Sequence, residues 1–398
     1  MKAPYRKTLY ACFIGYIVQA IVNNFVPLLL VTFQTSYGIP LSRITLLITG
    51  NFLIQLLIDI LSAGFIDRIG YRAAALLAHA CAAAGLIGLT ILPELLPDPF
   101  LGILIAVALY AVGGGLLEVL VSPIVEACPT ENKEQTMSLL HSFYCWGHVG
   151  VVLLSTAFFA LCGIAHWRVL ALLWAAVPLL NLLLFARAPL YPLQAEGEKG
   201  LSLPALFRKK LFWLLMLMML CAGASEQAVS QWASTLAEEG LGVSKTVGDL
   251  AGPMAFAALM GLSRLLYGKY GSRLDPHRCM IGSTLLCVAG YAVIALAPGA
   301  AFGLLGCMLC GFSVGILWPG TFSRAAAAIR GGGTALFALL ALAGDIGCTS
   351  GPTVAGFASD LFGGNLRAGI GTAVLFPLLL LIALLAAGRT DSPTTNRP

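Results

Sequence analysis

Residues 113–150, GGGLLEVLVSPIVEACPTENKEQTMSLLHSFYCWGHVG, read as the end of one long apolar helix, a short polar turn and the start of a second. Both arms are apolar enough to cross a membrane, yet they carry Glu118, His141 and His148. An ionisable group inside a spanning helix is costly unless it faces protein or water, so such groups are read as part of a pathway or binding site.

The whole chain supports a membrane reading of this stretch. Of its 398 residues 59% are hydrophobic and only 10% charged, and the mean hydropathy is +0.91. Those values lie far from a soluble domain and define a polytopic, all-α membrane protein in contact with the lipid bilayer. The net charge of +5 does not indicate a nucleic-acid partner, because the basic residues fall between apolar runs rather than on one patch. Most of the eleven cysteines lie singly inside apolar runs (Cys81, Cys162, Cys221, Cys287, Cys307, Cys310), where Cys behaves as a small hydrophobe. The first run follows Lys2, Arg6 and Lys7 as a signal peptide would, but it is of spanning length and lacks a small-residue cleavage site, so it is expected to be retained.

Runs of about 20 apolar residues predict twelve helices, at 9–33, 44–66, 73–93, 100–126, 136–162, 167–188, 211–237, 247–269, 279–298, 300–328, 334–361 and 368–388. The longest polar gap divides them six and six. The expected organisation is an N-terminal half at 1–188, a cytoplasmic linker with a short surface helix at 189–210, a C-terminal half at 211–388 and a disordered tail at 389–398. Of the 23 Lys and Arg, this topology places eighteen in cytoplasmic segments, four outside (Arg43, Arg168, Lys245, Arg367) and Arg264 within the membrane. The asymmetry puts both termini in the cytoplasm.

The turn after helix 2 reads GFIDRIGYR at 64–72. It resembles the G-x-x-x-D-R-x-G-x-R signature of the major facilitator superfamily. The resemblance implies a fold of two pseudo-symmetric six-helix halves and a gating role for Gly64, Asp67, Arg68 and Arg72. Gly64 is expected to let two helices approach closely, and Asp67 to cap or pair across the gap. The corresponding turn in the second half, RLLYGKYGSR at 264–273, is a degenerate echo with no acid at the Asp67 position.

Within the superfamily the chain resembles the fucose permease branch, whose members are sugar–proton symporters. NNFVPLLLVTFQ at 23–34 resembles the Asn-led helix 1 of that branch. Gly113-x-Gly115-x-x-Glu118 followed by Ser122-Pro123 resembles its helix 4 pattern, and SLLHSFY at 138–144 its helix 5, with His141 at the branch's Gln and Tyr144 at its Asn. WPGTFS at 318–323 and GFASD at 356–360 resemble the helix 10 and helix 11 signatures. One departure matters: the branch's helix 1 Asp, part of its proton coupling, is replaced here by Pro27, which leaves Glu118 as the counterpart of that machinery.

Read on their own chemistry, His141, Tyr144 and His148 recur at i, i+3 and i+7 and line one face of helix 5. A carboxylate such as Glu118 near imidazoles can exchange a proton or bind a polar ligand; equally, an interhelical hydrogen bond would merely hold helices 4 and 5 together. A metal bound by His141, His148 and His166 places the third ligand at the wrong depth, and no metal or cofactor is expected. Helix 7, ASEQAVSQWAS, places Glu226 and Ser230 on one face and Gln227, Gln231 and Ser234 on an adjacent one. In helix 11, Asp345 either titrates or satisfies backbone freed by Pro352. Asp59 is expected to be a structural partner of the cytoplasmic network. Arg264 and Arg324, near the inner ends of helices 8 and 10, either snorkel or form the inner gate. Trp318 and Trp146 either stack on a ligand or plug the gap between helices. GFSVG at 311–315 satisfies the G-x-S-x-G of serine hydrolases but lies inside an apolar helix with no preceding strand, so it is read as helix packing.

These residues predict a monomeric secondary transporter of the inner or plasma membrane, not an enzyme. It is expected to move a small, sugar-like solute by alternating access, coupled to protons through Glu118 or Glu226. The alternative is a proton-driven efflux antiporter for amphipathic compounds. An intramembrane enzyme would need an H-E-x-x-H or a Ser-His-Asp set, and a sensor would need a signalling domain.

Overall fold

The structure, a computed structural model, describes residues 4–39, 41–193, 201–233, 236, 250–296, 298–363 and 365–388. Lys245, Ser234, residues 194–200 of the expected linker and the tail 389–398 lie outside the described residues, as does the side chain of Asp67.

Every regular element among the described residues is a helix, with no strand among them. α1 runs Tyr5–Asn24, passes through a 3-10 turn Val26–Leu29 and continues as Leu30–Tyr37; the turn falls at Pro27, which has no N–H to give the helix ladder. α2 (Leu41–Ile69), α3 (Tyr71–Leu95), α4 (Pro99–Ala127), α5 (Lys133–Cys162) and α6 (Trp167–Arg187) follow. After a one-turn surface helix, Leu203–Phe207, come α7 (Lys210–Ser230), α8 (Ala255–Tyr270, entered through a π turn at Leu250–Met254) and α9 (Pro276–Leu296). α10 is broken into Ala300–Val314 and Leu317–Ala328, α11 is Gly333–Leu361, and α12 is broken into Leu366–Thr372 and Leu375–Ala387. Ten stretches are long and apolar enough to cross a membrane among the described residues; α2 and α8 complete the twelve.

Local chemistry sets the helix ends. Asp98 caps α4, its side chain accepting from Phe100 N at 3.0 Å with Pro99 in the first turn, and Asn365 caps α12 through Ala368 N at 3.1 Å. Between α2 and α3 the chain turns at Gly70 with φ 81° and ψ 150°, a conformation open essentially to glycine alone. The turn signature therefore needs its glycine at 70. The expectation for Gly64 is corrected for the described residues: among them, a Cβ there would meet nothing within 4 Å.

The described residues form two compact units, Met1–Pro129 with Phe143–Ala195, and Thr130–Ser142 with Glu196–Pro398. α5 thus contributes its first turns to the second unit and the remainder to the first. Inside the first unit, Arg168 at the start of α6 pairs with Glu94 of α3 and donates to the Tyr37 hydroxyl at 3.0 Å. Inside the second, Arg367 at the start of α12 donates to Ile294 O of α9 at 2.8 Å, an equivalent helix-end tie.

Candidate functional site

Three consecutive glycines bring α4 against its neighbours in the first unit. Successive helical residues point about 100° apart, so each glycine meets a different surface. A Cβ on Gly113 would lie 2.5 Å from Ala78 O of α3, one on Gly114 3.0 Å from Val22 of α1, and one on Gly115 3.0 Å from Ile58 of α2. At Gly113 only hydrogen fits, at Gly114 and Gly115 a Cβ would press on side chains that must give way, and the close approach brings Glu118, one turn on, to Gln19 of α1.

The polar side chains of α1, α2, α4 and α5 in this unit form three hydrogen-bonded groups. Gln19 Nε2 donates to Glu118 Oε2 at 2.8 Å. Asn23 accepts on Oδ1 from Gln55 (2.8 Å) and Asn51 (3.2 Å), and its own Nδ2 reaches the Tyr144 hydroxyl at 3.4 Å. The Tyr16 hydroxyl lies 3.1 Å from Ser122 Oγ, and its ring meets that of Tyr144 edge to face, with centroids 6.4 Å apart. Donors and acceptors arranged like this, half-buried in apolar helices, can orient a polar solute or hold a proton. The sequence reading did not identify Tyr16, Gln19, Asn51 or Gln55 as site residues, and used Asn23 only as a motif match. A signal was available: Tyr16, Gln19 and Asn23 recur at i, i+3, i+7, and Asn51, Gln55 and Asp59 at i, i+4, i+8, each a polar stripe on an apolar helix.

The second unit holds a charged cluster. Arg264 is buried at 4% exposure and pairs with Glu226 at 3.5 Å. Gln227 donates to Glu226 Oε1 at 3.3 Å, and Gln231 to Gln227 Oε1 at 3.0 Å, a ladder along α7. Arg264 also donates through Nε to Gly315 O (2.8 Å) and through Nη1 to His141 O (3.1 Å), while Ser138 Oγ donates to Arg264 O (2.9 Å). Gly315 O is available for a simple reason: its helical donor would be the N–H of residue 319, which is a proline. Arg264 fills the gap that Pro319 opens.

Several expectations change here. Arg264 and Arg324 do not snorkel: Arg324 is 6% exposed, bonds to Gly388 O at the end of α12 and lies 2.9 Å from His277 Nδ1. Arg72 donates to Phe185 O, Ala186 O and Ala188 O at 2.7–2.9 Å and so caps the C-terminus of α6, while Arg68 is exposed in the last turn of α2. The three residues on one face of α5 part company. His141 stacks on Phe322 (5.8 Å, 23°), Tyr144 joins the Asn23 network, and His148 makes no hydrogen bond among the described residues. A stripe seven residues long spans about 10 Å, enough for its ends to meet different neighbours. Trp318 packs its indole against Gly344, where a Cβ would collide with it, and edge-on against Phe322; Trp146 is 40% exposed. Asp345 is half-buried one residue from Gly344, and its carbonyl accepts from Thr349 Oγ1 at 3.0 Å. Asp59 is fully buried.

Residues 12–352 match the family profile described as Major Facilitator Superfamily. No curated protein sequence matches the chain significantly. Among solved structures it is similar to a variant of the E. coli fucose:proton symporter (TM-score 0.82, 19% identity, 98% of this chain and 100% of that one). It is also similar to the human organic anion transporter MFSD10 (0.75, 18%, 96% and 100%) and to the proton:xylose symporter XylE (0.77, 14%, 96% and 94%). The fold and the matched profile define a multi-pass membrane transporter, not an enzyme. The chain belongs to the major facilitator superfamily.

Proposed function

We propose that the protein is a proton-coupled secondary transporter of a small polar, sugar-like solute. On this reading it works as a monomer in the inner or plasma membrane, with both termini cytoplasmic, by alternating access. The observation that carries this reading is a pair of hydrogen-bonded groups in the first unit, Gln19 with Glu118 and Asn23 with Asn51, Gln55 and Tyr144: six polar side chains on predominantly apolar helices. Such a concentration costs solvation within a bilayer and is expected where a hydrophilic solute or a proton passes. In this proposal Glu118 exchanges the proton. Tyr144, with His148 one turn away, contributes to solute binding from α5 within the first unit; within the second, Glu226, Gln227, Gln231 and Asp345 are the polar candidates of that unit's own helices. The fucose and xylose symporters of similar fold lend support for the solute class, as does the branch resemblance.

A second reading, efflux of amphipathic compounds, is favoured by the aromatic group of His141, Trp318, Phe322 and Phe337, in which Phe322 stacks on Phe337 at 5.4 Å. A thermal-shift screen of purified protein against monosaccharides, deoxysugars and cationic amphiphiles at acidic and neutral pH separates the two, since a ligand stabilises the state that binds it. Stabilisation by one sugar class, dependent on pH, is the expected result. Stabilisation by amphiphiles alone moves the assignment to efflux.

A further inference from the structure

Gln19 sits on α1 at 3% exposure with its amide half used. Nε2 donates to Glu118 Oε2 at 2.8 Å, whereas Oε1 is buried with no hydrogen-bond partner among the described residues. A buried acceptor left without a donor is destabilising, and its presence calls for an explanation. A donor able to fill it would arise on Glu118 itself. The ionised carboxylate only accepts, but a protonated carboxyl carries one O–H. An acid facing a primary amide forms two hydrogen bonds in a ring: the amide N–H to the acid carbonyl, and the acid O–H to the amide carbonyl. The structure shows the first of these and leaves the acceptor of the second vacant.

We infer that Gln19 is the positioning residue that holds Glu118 in both protonation states. With the carboxylate, Gln19 donates one charge-assisted bond and its Oε1 stands unpartnered. When a proton from water adds to the Glu118 oxygen not bonded to Nε2, the charge falls from −1 to 0 and the new O–H donates to Gln19 Oε1, closing the acid–amide ring. This inference rests on the reading of Glu118 as a proton-exchanging group, and extends it to a residue two helical turns before Pro27. A neutral amide suits the task because it offers one donor and one acceptor side by side. An apolar side chain would offer neither, and a second acid would add a charge. Titratable side chains carried by the helices of this unit include Tyr16 and Cys12 on α1, Asp59 on α2, His79 on α3, Tyr110 on α4, and Tyr144, Cys145 and His148 on α5.

Infrared difference spectra between acidic and alkaline pH test the idea on the full-length protein in lipid nanodiscs, with no solute added. The expected spectrum contains a protonated-carboxyl band that is lost in Glu118→Gln and kept in Asp59→Asn. It is accompanied by a change in a glutamine side-chain amide band, identified by isotope-labelled glutamine and absent from Glu118→Gln. In Gln19→Met the carboxyl band moves to the higher frequency of an acid without an acceptor, and the amide change disappears. A glutamine amide that stays silent in the wild type while the Glu118 band titrates overturns the inference and leaves the role of Glu118 standing; this arm does not depend on the variant folding. A carboxyl band that survives Glu118→Gln unchanged overturns the proton reading itself.

Discussion

Arg264 shows how much one side chain can hold together. Its guanidinium is the counter-ion of Glu226 and at the same time supplies donors to Gly315 O and His141 O. Removing one member of a buried pair leaves the other charge uncompensated, a loss of about 3–5 kcal/mol. Arg264→Met is therefore expected to destabilise the protein on that scale in denaturant unfolding in detergent, and Arg264→Met with Glu226→Gln to lose less than the two single changes added together. Glu118 is expected to matter for transport more than for stability. Glu118→Gln should abolish pH-driven uptake while leaving counterflow exchange, and unchanged pH-driven uptake in vesicles would count against a coupling role. Motif spacing made Glu118 and Glu226 legible, because an acid inside an apolar run stands out. Their partners were harder to see. Gln19 and Arg264 find their acids on other helices, 99 and 38 residues away, and no local pattern encodes such a pairing.

At the scale of helices, the twelve segments follow from apolar runs alone and agree with the observed ones to within a few residues at nearly every described end, because run length and bilayer thickness measure the same thing. The interruptions follow from proline chemistry: Pro27 in the 3-10 turn of α1 and Pro319 just after the break in α10. Glycine roles divided by position. Gly113→Val would drive a side chain into the α3 backbone at Ala78 and is expected to abolish accumulation of folded protein, whereas Gly64→Ala, meeting nothing within 4 Å among the described residues, should change the melting temperature little. Gly70→Ala places a side chain at φ 81° and is expected to cost about 1–3 kcal/mol, read as a lower unfolding midpoint. Both Gly64 and Gly70 belong to one turn signature, and the signature alone does not say which of them is constrained. That depends on where the neighbouring helix runs.

Over the whole molecule, the positive-inside count gives an orientation that can be tested on a native residue. Cys162 is exposed at the end of α5, on the side that the count assigns to the exterior. A membrane-impermeant maleimide added to intact cells is expected to modify Cys162, and the Cys162→Ser variant to lose that labelling; modification only after permeabilisation would reverse the topology. Composition and periodicity by themselves determined the class, the number of spans and the polar positions within them, since each is a property of one segment measured against lipid. Tertiary structure alone decided which polar groups meet: Glu118 with Gln19, Arg264 with Glu226 and the carbonyl freed by Pro319, Arg72 with the end of α6. Hydrogen bonds act over about 3 Å, and distances that short between separate helices are set by how the helices pack, not by any spacing along the chain.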